Sequence, residues 1–184
     1  MNIMMVNAGR KNGNSSYIIK ECVEMANNYP ISVSPVHLGS RQILFCDGCL
    51  SCDEAGKCHI EDDMSVLIET VLASDAFLFV SPTRWSLLSG ELKTFIDRLN
   101  PLAASEKLSG KSAAIICLGQ SEFSDDDSIN LAAQSISHFC ENAGINVVGM
   151  MGIEKCLNET DIIPMSQDLQ KCKDLFLTLI KSEG

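Results

Sequence analysis

Four cysteines fall within thirteen residues, Cys46-x2-Cys49-x2-Cys52-x5-Cys58, and thiols spaced this way suit metal ligation. Three thiols in successive C-x-x-C steps can turn toward one centre from a single loop, and a fourth closes the set. Iron–sulfur clusters are commonly held by four cysteines drawn partly from such steps. Structural zinc more often takes two separated C-x-x-C pairs, although His59 beside Cys58 keeps open a zinc site of three cysteines and one histidine. Three readings of the loop stand at this point: an iron–sulfur redox cluster, zinc, or an empty loop of reduced thiols.

A second segment with chemical content follows the first apolar run: Asn7-Ala8-Gly9-Arg10-Lys11-Asn12-Gly13-Asn14-Ser15-Ser16. Glycines permit tight turns, a helix start offers free N–H groups, Arg10 and Lys11 add two cations, and Ser15 and Ser16 bring hydroxyls. Together these suit a phosphate. The plainer alternative is a polar strand-to-helix loop with Ser15 as an N-cap. The G-x-x-x-x-G-K-[ST] and G-x-G-x-x-G patterns are both absent, which excludes a nucleotide-triphosphatase loop and a dinucleotide fingerprint. Strands one and three do not end in aspartate, as a phospho-acceptor signalling domain of this topology would require.

A third segment runs Ser81-Pro82-Thr83-Arg84-Trp85-Ser86-Leu87-Leu88-Ser89-Gly90. Its Trp85 is the chain's only tryptophan, and such a ring on a loop has either a ligand or a subunit to cover. A shorter turn, Gly119-Gln120-Ser121, follows the fourth apolar run, and by itself it is an ordinary β–α connection. Cys22, Cys117, Cys140, Cys156 and Cys172 read as small buried hydrophobes. His37 and His138 have no partner at ligand spacing and read as structural.

The elements that must position these loops alternate along the chain. Strands are predicted at Ile3–Val6, Ile31–Leu38, Asp75–Ser81, Ala113–Leu118 and Ile145–Met151. Helical periodicity marks Ile18, Ile19, Cys22, Val23 and Ala26, and again Met64, Leu67, Ile68, Val71 and Leu72, with Asp62 or Asp63 as cap. A third helix carries Leu92, Phe95, Ile96 and Leu99 and is expected to stop before Pro101. A fourth runs from Ile129 to Ala143 with Gly144 as its stop, and a closing helix spans Leu169–Ile180. Five β–α units with continuously apolar strands predict an α/β fold: one domain over residues 1–184 with a doubly wound, five-stranded parallel sheet. Ligands of such folds bind outside the carboxyl ends of the strands. Residues 39–60 form a long connection carrying the four cysteines.

Composition narrows the partners. A net charge of -10 argues against nucleic acid and anionic membrane, both of which require clustered cations. No apolar run approaches the roughly 20 residues of a bilayer span, and the N-terminus reads as a strand rather than a signal peptide. The expectation is a cytoplasmic protein with reduced thiols.

The first loop, with Arg10, Lys11, Gly13, Asn14 and Ser15, resembles the flavodoxin-like NAD(P)H-dependent FMN reductases, and within them the iron–sulfur flavoproteins. The family pattern Gly-Ser-Pro-Arg-Lys-x-Gly-Asn-[Thr/Ser] is met except that Asn7-Ala8-Gly9 replaces Gly-Ser-Pro, so a hydroxyl is missing at Ala8. The run from Ser81 to Arg98 is similar to the family's Ser-Pro-x-Tyr-Trp…Ser-Gly-x-Leu-Lys-x-Phe-Ile-Asp-Arg, with Arg84 where Tyr is usual. The resemblance implies the strand order 2-1-3-4-5, with helices on both faces. It implies FMN held by Arg10, Lys11, Gly13, Asn14, Ser15 and Ser16 at the phosphate, by Pro82, Thr83, Arg84, Trp85 and Ser86 beside the ring, and by Gly119 at the pyrimidine side. A cation at Arg84 would favour reduced flavin. Lys93, Asp97 and Arg98 read as holding the third helix in place.

The resemblance further implies a 4Fe–4S cluster on Cys46, Cys49, Cys52 and Cys58, NAD(P)H or a ferredoxin as electron donor, and a quinone, free flavin or other small acceptor. It implies a homodimer or homotetramer and no catalytic side chain. An azo- or nitro-compound reductase is not separable from a quinone reductase on these residues. The rival from another class is a flavin-free metal-binding or thiol redox-sensing module built on the cysteine loop.

Overall fold

The computed structural model describes residues 1–182. Its strands are the predicted apolar runs, with ends moved by a residue or two: β1 (Asn2–Asn7), β2 (Ser32–His37), β3 (Ala76–Pro82), β4 (Ser112–Leu118) and β5 (Asn146–Ile153). They form one sheet in the order β2-β1-β3-β4-β5, with every pair parallel. This is the flavodoxin-like order of a doubly wound α/β fold. β3 and β4 are buried along their whole length, which is why they read as unbroken apolar runs. The edge strand β2 has only one buried residue and tolerates Pro35, which cannot donate to a neighbour.

The helices are α1 (Asn14–Ala26), α2 (Ser51–Ala55), α3 (Met64–Ala73), α4 (Gly90–Asp97), α5 (Asn100–Ala104), α6 (Ser128–Asn142) and α7 (Ser166–Lys181). Alternate strand residues feed two cores. Met4, Val6, Phe77, Phe79 and Ile115 meet Leu67, Phe95 and Ile136 on one face. Ile3, Met5, Leu78, Val80 and Ile116 meet Ile18, Cys22, Cys172 and Phe176 on the other. Each large apolar side chain buried this way contributes roughly 1.5–3 kcal/mol.

One helix end differs from expectation. α4 stops at Asp97, and the chain turns helical again at Asn100 with Pro101 inside the first turn, where its missing N–H costs nothing. The break lets Leu99 and Leu102 both reach the core. At α3 the predicted pair shares the task, Asp63 standing at the N-cap position and Asp62 binding the first helical amide. Asp62 accepts from the Met64 amide, Asp63 from the Gln42 amide, and no side chain caps through the N-cap position. Gly144 does end α6: its φ is +72° and a Cβ there would lie 2.9 Å from Ser109 Oγ.

In this order the crossovers leave β1 in opposite directions, so the ends of β1 and β3 frame a crevice. The Ala8 amide donates to Val80 O at 3.0 Å and ties those two ends together. Among the described residues no helix is long and apolar enough to cross a membrane.

Candidate cofactor-binding site

The loop after β1 is shaped by its own side chains. Asn7, buried at the strand end, donates through Nδ2 to Ser16 Oγ (2.7 Å) and accepts the Gly9 amide on Oδ1 (2.9 Å). Ser16 Oγ donates to the Arg10 carbonyl at 2.7 Å, so its hydroxyl braces the loop. His37, from the end of β2, donates through Nε2 to the Gly9 carbonyl (2.9 Å). Glycine is required at position 9, where a Cβ would sit 2.4 Å from Ser15 Oγ. α1 then begins after Gly13, which is its N-cap in place of Ser15, and no side chain caps it. The first-turn amides therefore carry no side-chain cap among the described residues, at the positive end of a 13-residue helix.

The loop after β3 forms the facing wall. Arg84 and Leu87 exchange two hydrogen bonds (2.8 and 3.0 Å) around Trp85 and Ser86, whose φ values are 50° and 63°. Both central residues are left-handed, as in a type I′ turn, yet neither is the usual Asn or Gly. Strain of this kind persists where surroundings impose it, and it gathers at ligand sites. Trp85 is 98% exposed, and Thr83 Oγ1 is buried without a partner among the described residues. Ser89 caps α4 and donates to the Ala8 carbonyl (3.1 Å), which locks this loop to the first.

After β4, a Cβ on Gly119 would lie 2.8 Å from Ile129 Cγ1, while its amide and carbonyl are taken by Ile153 O and the Cys156 amide. Gln120 and Ser121 beside it reach the cleft. The loop after β5 supplies a wall that the sequence reading missed. Cys156, Leu157, Asn158 and Glu159 line the cleft there. Asn14 fixes this segment to α1, donating to Asn158 O (2.7 Å) and accepting the Ile162 amide (3.0 Å). Parallel strands put all their following loops on one edge, which is the signal that would have found it.

Together the walls enclose a cleft of about 470 Å³, within the range of small-molecule sites. Arg10, Gly13, Asn14 and Ser15 line one side, and the run from Pro82 to Ser86 the other, with Gly119 between. Lys11 and Ser16 lie outside the lining. Ala8 is buried in the core, so the missing hydroxyl there lies away from the cleft. Arg10 is exposed and its guanidinium is 3.7 Å from Glu159. The uncapped amides, Arg10, the Ser15 hydroxyl and the orphaned Thr83 hydroxyl fit a phosphorylated flavin mononucleotide.

The cysteine loop stands on a buried ion pair. Arg98 and Asp62 have side-chain exposures of 1% and 2% and meet in a bidentate contact of 2.5 and 3.1 Å. Arg98 also donates to the carbonyls of Leu44 and Ile60, the two stems of the loop. Its role is thus larger than holding its own helix. Burial pushes the Asp62 carboxyl up, but Arg98 and the Leu44 and Met64 amides outweigh that and hold it below the usual range.

Cys46 and Cys49 are exposed, Cys52 and Cys58 half-buried. Among the described residues no three of these thiols lie within 4.8 Å of one another; Cys49 instead groups with Asp47 and His59. Thiols around one zinc are under about 4.6 Å apart, twice the Zn–S distance, so the loop as arranged is not a zinc site of three or four thiolates. A 4Fe–4S cluster gives each thiolate its own iron, so that distance limit does not apply to it. Donors also face two sulfurs: Asn100 Nδ2 is 3.2 Å from Cys52 Sγ, and the Arg98 guanidinium, with its Nε buried and orphaned, neighbours Cys58. Burial pushes Cys22, Cys117, Cys140, Cys156 and Cys172 up to about 12.

Residues 1–152 match the NADPH-dependent FMN reductase family. An iron–sulfur flavoprotein of Archaeoglobus fulgidus is 36% identical over 102 residues, 55% of this chain and 46% of that protein. One of Methanocaldococcus jannaschii is 28% identical over 112 residues, 61% of this chain and 58% of that protein. The matches thus span about half the length of these two curated relatives. A flavone reductase superposes with a TM-score of 0.76 at 15% identity, over 96% of this chain and 60% of that one, a likeness of fold alone. With residues 1–152 accounted for, the chain belongs to the NADPH-dependent FMN reductase family.

Proposed function

We propose that this chain is an FMN-dependent oxidoreductase that takes electrons from NAD(P)H and passes them to a small acceptor such as a quinone or a free flavin. One observation carries the reading: the uncapped start of α1, with Arg10 and Ser15 beside it, opens into the cleft at the sheet's switch point. The amides of Asn14, Ser15 and Ser16 and the Arg10 guanidinium hold the phosphate, with exposed Lys11 adding field. Pro82 to Ser86 border the ring, and Thr83 Oγ1 finds there the partner it otherwise lacks. When bound, the flavin supplies the two-electron chemistry. The chain's own work is to hold and orient, so no side chain is assigned as acid, base or nucleophile.

On the cysteine loop the same reading places a 4Fe–4S cluster held by Cys46, Cys49, Cys52 and Cys58. Asn100 and Arg98 steady two of the sulfurs. When bound, such a cluster supplies single electrons, and a ferredoxin-like donor then replaces the nicotinamide. Exposed Trp85, Leu87 and Leu157 around the cleft are where a second copy would sit in a homodimer or homotetramer. The location is taken as cytoplasmic.

The test is one oxygen-free preparation analysed for flavin and metal. Yellow protein with flavin absorption bands, lost in Arg10→Ala, supports the assignment. Colourless protein that takes up no added FMN overturns it and leaves the metal-binding module, for which the Asp47, Cys49 and His59 grouping is the motive. About four irons per chain supports the cluster, and an iron-free sample removes it without touching the flavin.

A further inference from the structure

The cleft that would seat a phosphate also contains a carboxylate aimed at the same cation. Glu159 lines it and lies 3.7 Å from Arg10, with both side chains more than half exposed. The other lining carboxylate, Asp126, is engaged with the Ser128 amide at 2.9 Å. Glu159 has no such partner besides Arg10 among the described residues.

Its position is built rather than incidental. Asp161 accepts the amides of Leu157 and Asn158 (2.8 and 2.6 Å), and Asn14 clasps Asn158 and Ile162 across the start of α1. The segment bearing Glu159 is therefore latched to the very helix whose amides are uncapped. A phosphomonoester carries about −1.5 to −2 charge near neutral pH. Seating one beside Glu159 brings like charges together and takes Arg10 from its present partner.

We propose that Glu159 is a specificity-determining residue of the cleft, a stand-in anion that holds Arg10 until a phosphate displaces it and so keeps FMN exchangeable. The inference rests on the FMN reading above. Its consequence is charge-selective: the carboxylate weakens ligands with a phosphate tail and leaves the unphosphorylated flavin alone.

The experiment is a titration of wild type, Glu159→Gln and Glu159→Asp with FMN and with riboflavin, read by flavin fluorescence. Glu159→Gln is expected to bind FMN about three- to five-fold more tightly, the effect of one exposed charge pair. Riboflavin affinity stays put, Glu159→Asp resembles wild type, and added salt narrows the FMN gap. Unchanged FMN affinity in Glu159→Gln, or equal tightening for both flavins, overturns the inference while the cofactor assignment survives. Wild type that binds neither flavin overturns the assignment itself.

Discussion

Arg98 shows how much a single side chain can organise. A buried guanidinium is tolerable only if most of its donors are satisfied, and here one carboxylate and two carbonyls from separate loop stems take both terminal nitrogens, with Nε alone left over. Removing one partner leaves the other charged and buried, so Asp62→Asn or Arg98→Met is expected to cost about 3–5 kcal/mol in a urea melt. Because the folded Asp62 sits below its unfolded value near 3.9, its stabilisation is complete above that value and is lost as pH falls through the lower folded one. The Asp62→Asn variant should therefore show a flatter acid limb than wild type. Thiol chemistry divides the same way. In iron-free protein at neutral pH, exposed Cys46 and Cys49 should alkylate quickly, and buried Cys22, Cys117, Cys140 and Cys172, pushed up to about 12, should wait for unfolding. Spacing and periodicity sorted the cysteines into a loop set and a buried set, with Cys156, half-buried at the cleft, the one that fits neither. Arg98's clamp was illegible, since its partner at Leu44 lies 54 residues away and only the fold joins them.

Among elements, the strands were legible because burial on both faces forces unbroken apolar runs, as in β3 and β4. Helix ends were less so. Pro101 reads as a stop, yet a proline fits a first turn equally well, and the need to bury Leu99 and Leu102 chose the second. The turn at Trp85–Ser86 was hidden altogether, because nothing in a Trp-Ser pair announces two left-handed residues. Relieving that strain separates its structural cost from its use. Ser86→Gly should raise stability by about 0.5–1 kcal/mol, the left-handed penalty less the entropy that glycine adds to the unfolded chain. The same variant should bind FMN more weakly if the imposed turn is what orients the ring wall. A drop in melting temperature would instead show that Ser86 makes a contact worth more than its backbone strain.

At the scale of the molecule, one edge of the sheet collects the site. Four connections meet there, after β1, β3, β4 and β5, and each is fastened to a neighbour: Ser89 to Ala8, Asn14 to Asn158, Gly119 to Cys156. The sequence showed three of these connections as chemical segments, while the fourth carries no motif and came to light only through the parallel topology. A ligand gripping several fastened loops at once stabilises the whole fold by mass action, by about 2.7 kcal/mol at a hundred-fold excess over Kd. For a chain of 184 residues, that corresponds to a rise of roughly 5–10 °C in melting temperature. Gly9→Ala provides the control, since its Cβ would displace Ser15 at the phosphate seat while leaving both cores untouched. Saturating FMN should raise the melting temperature of wild type by that amount, and that of Gly9→Ala by little at the same concentration. Equal shifts in the two proteins would mean that the flavin grips somewhere other than the start of α1.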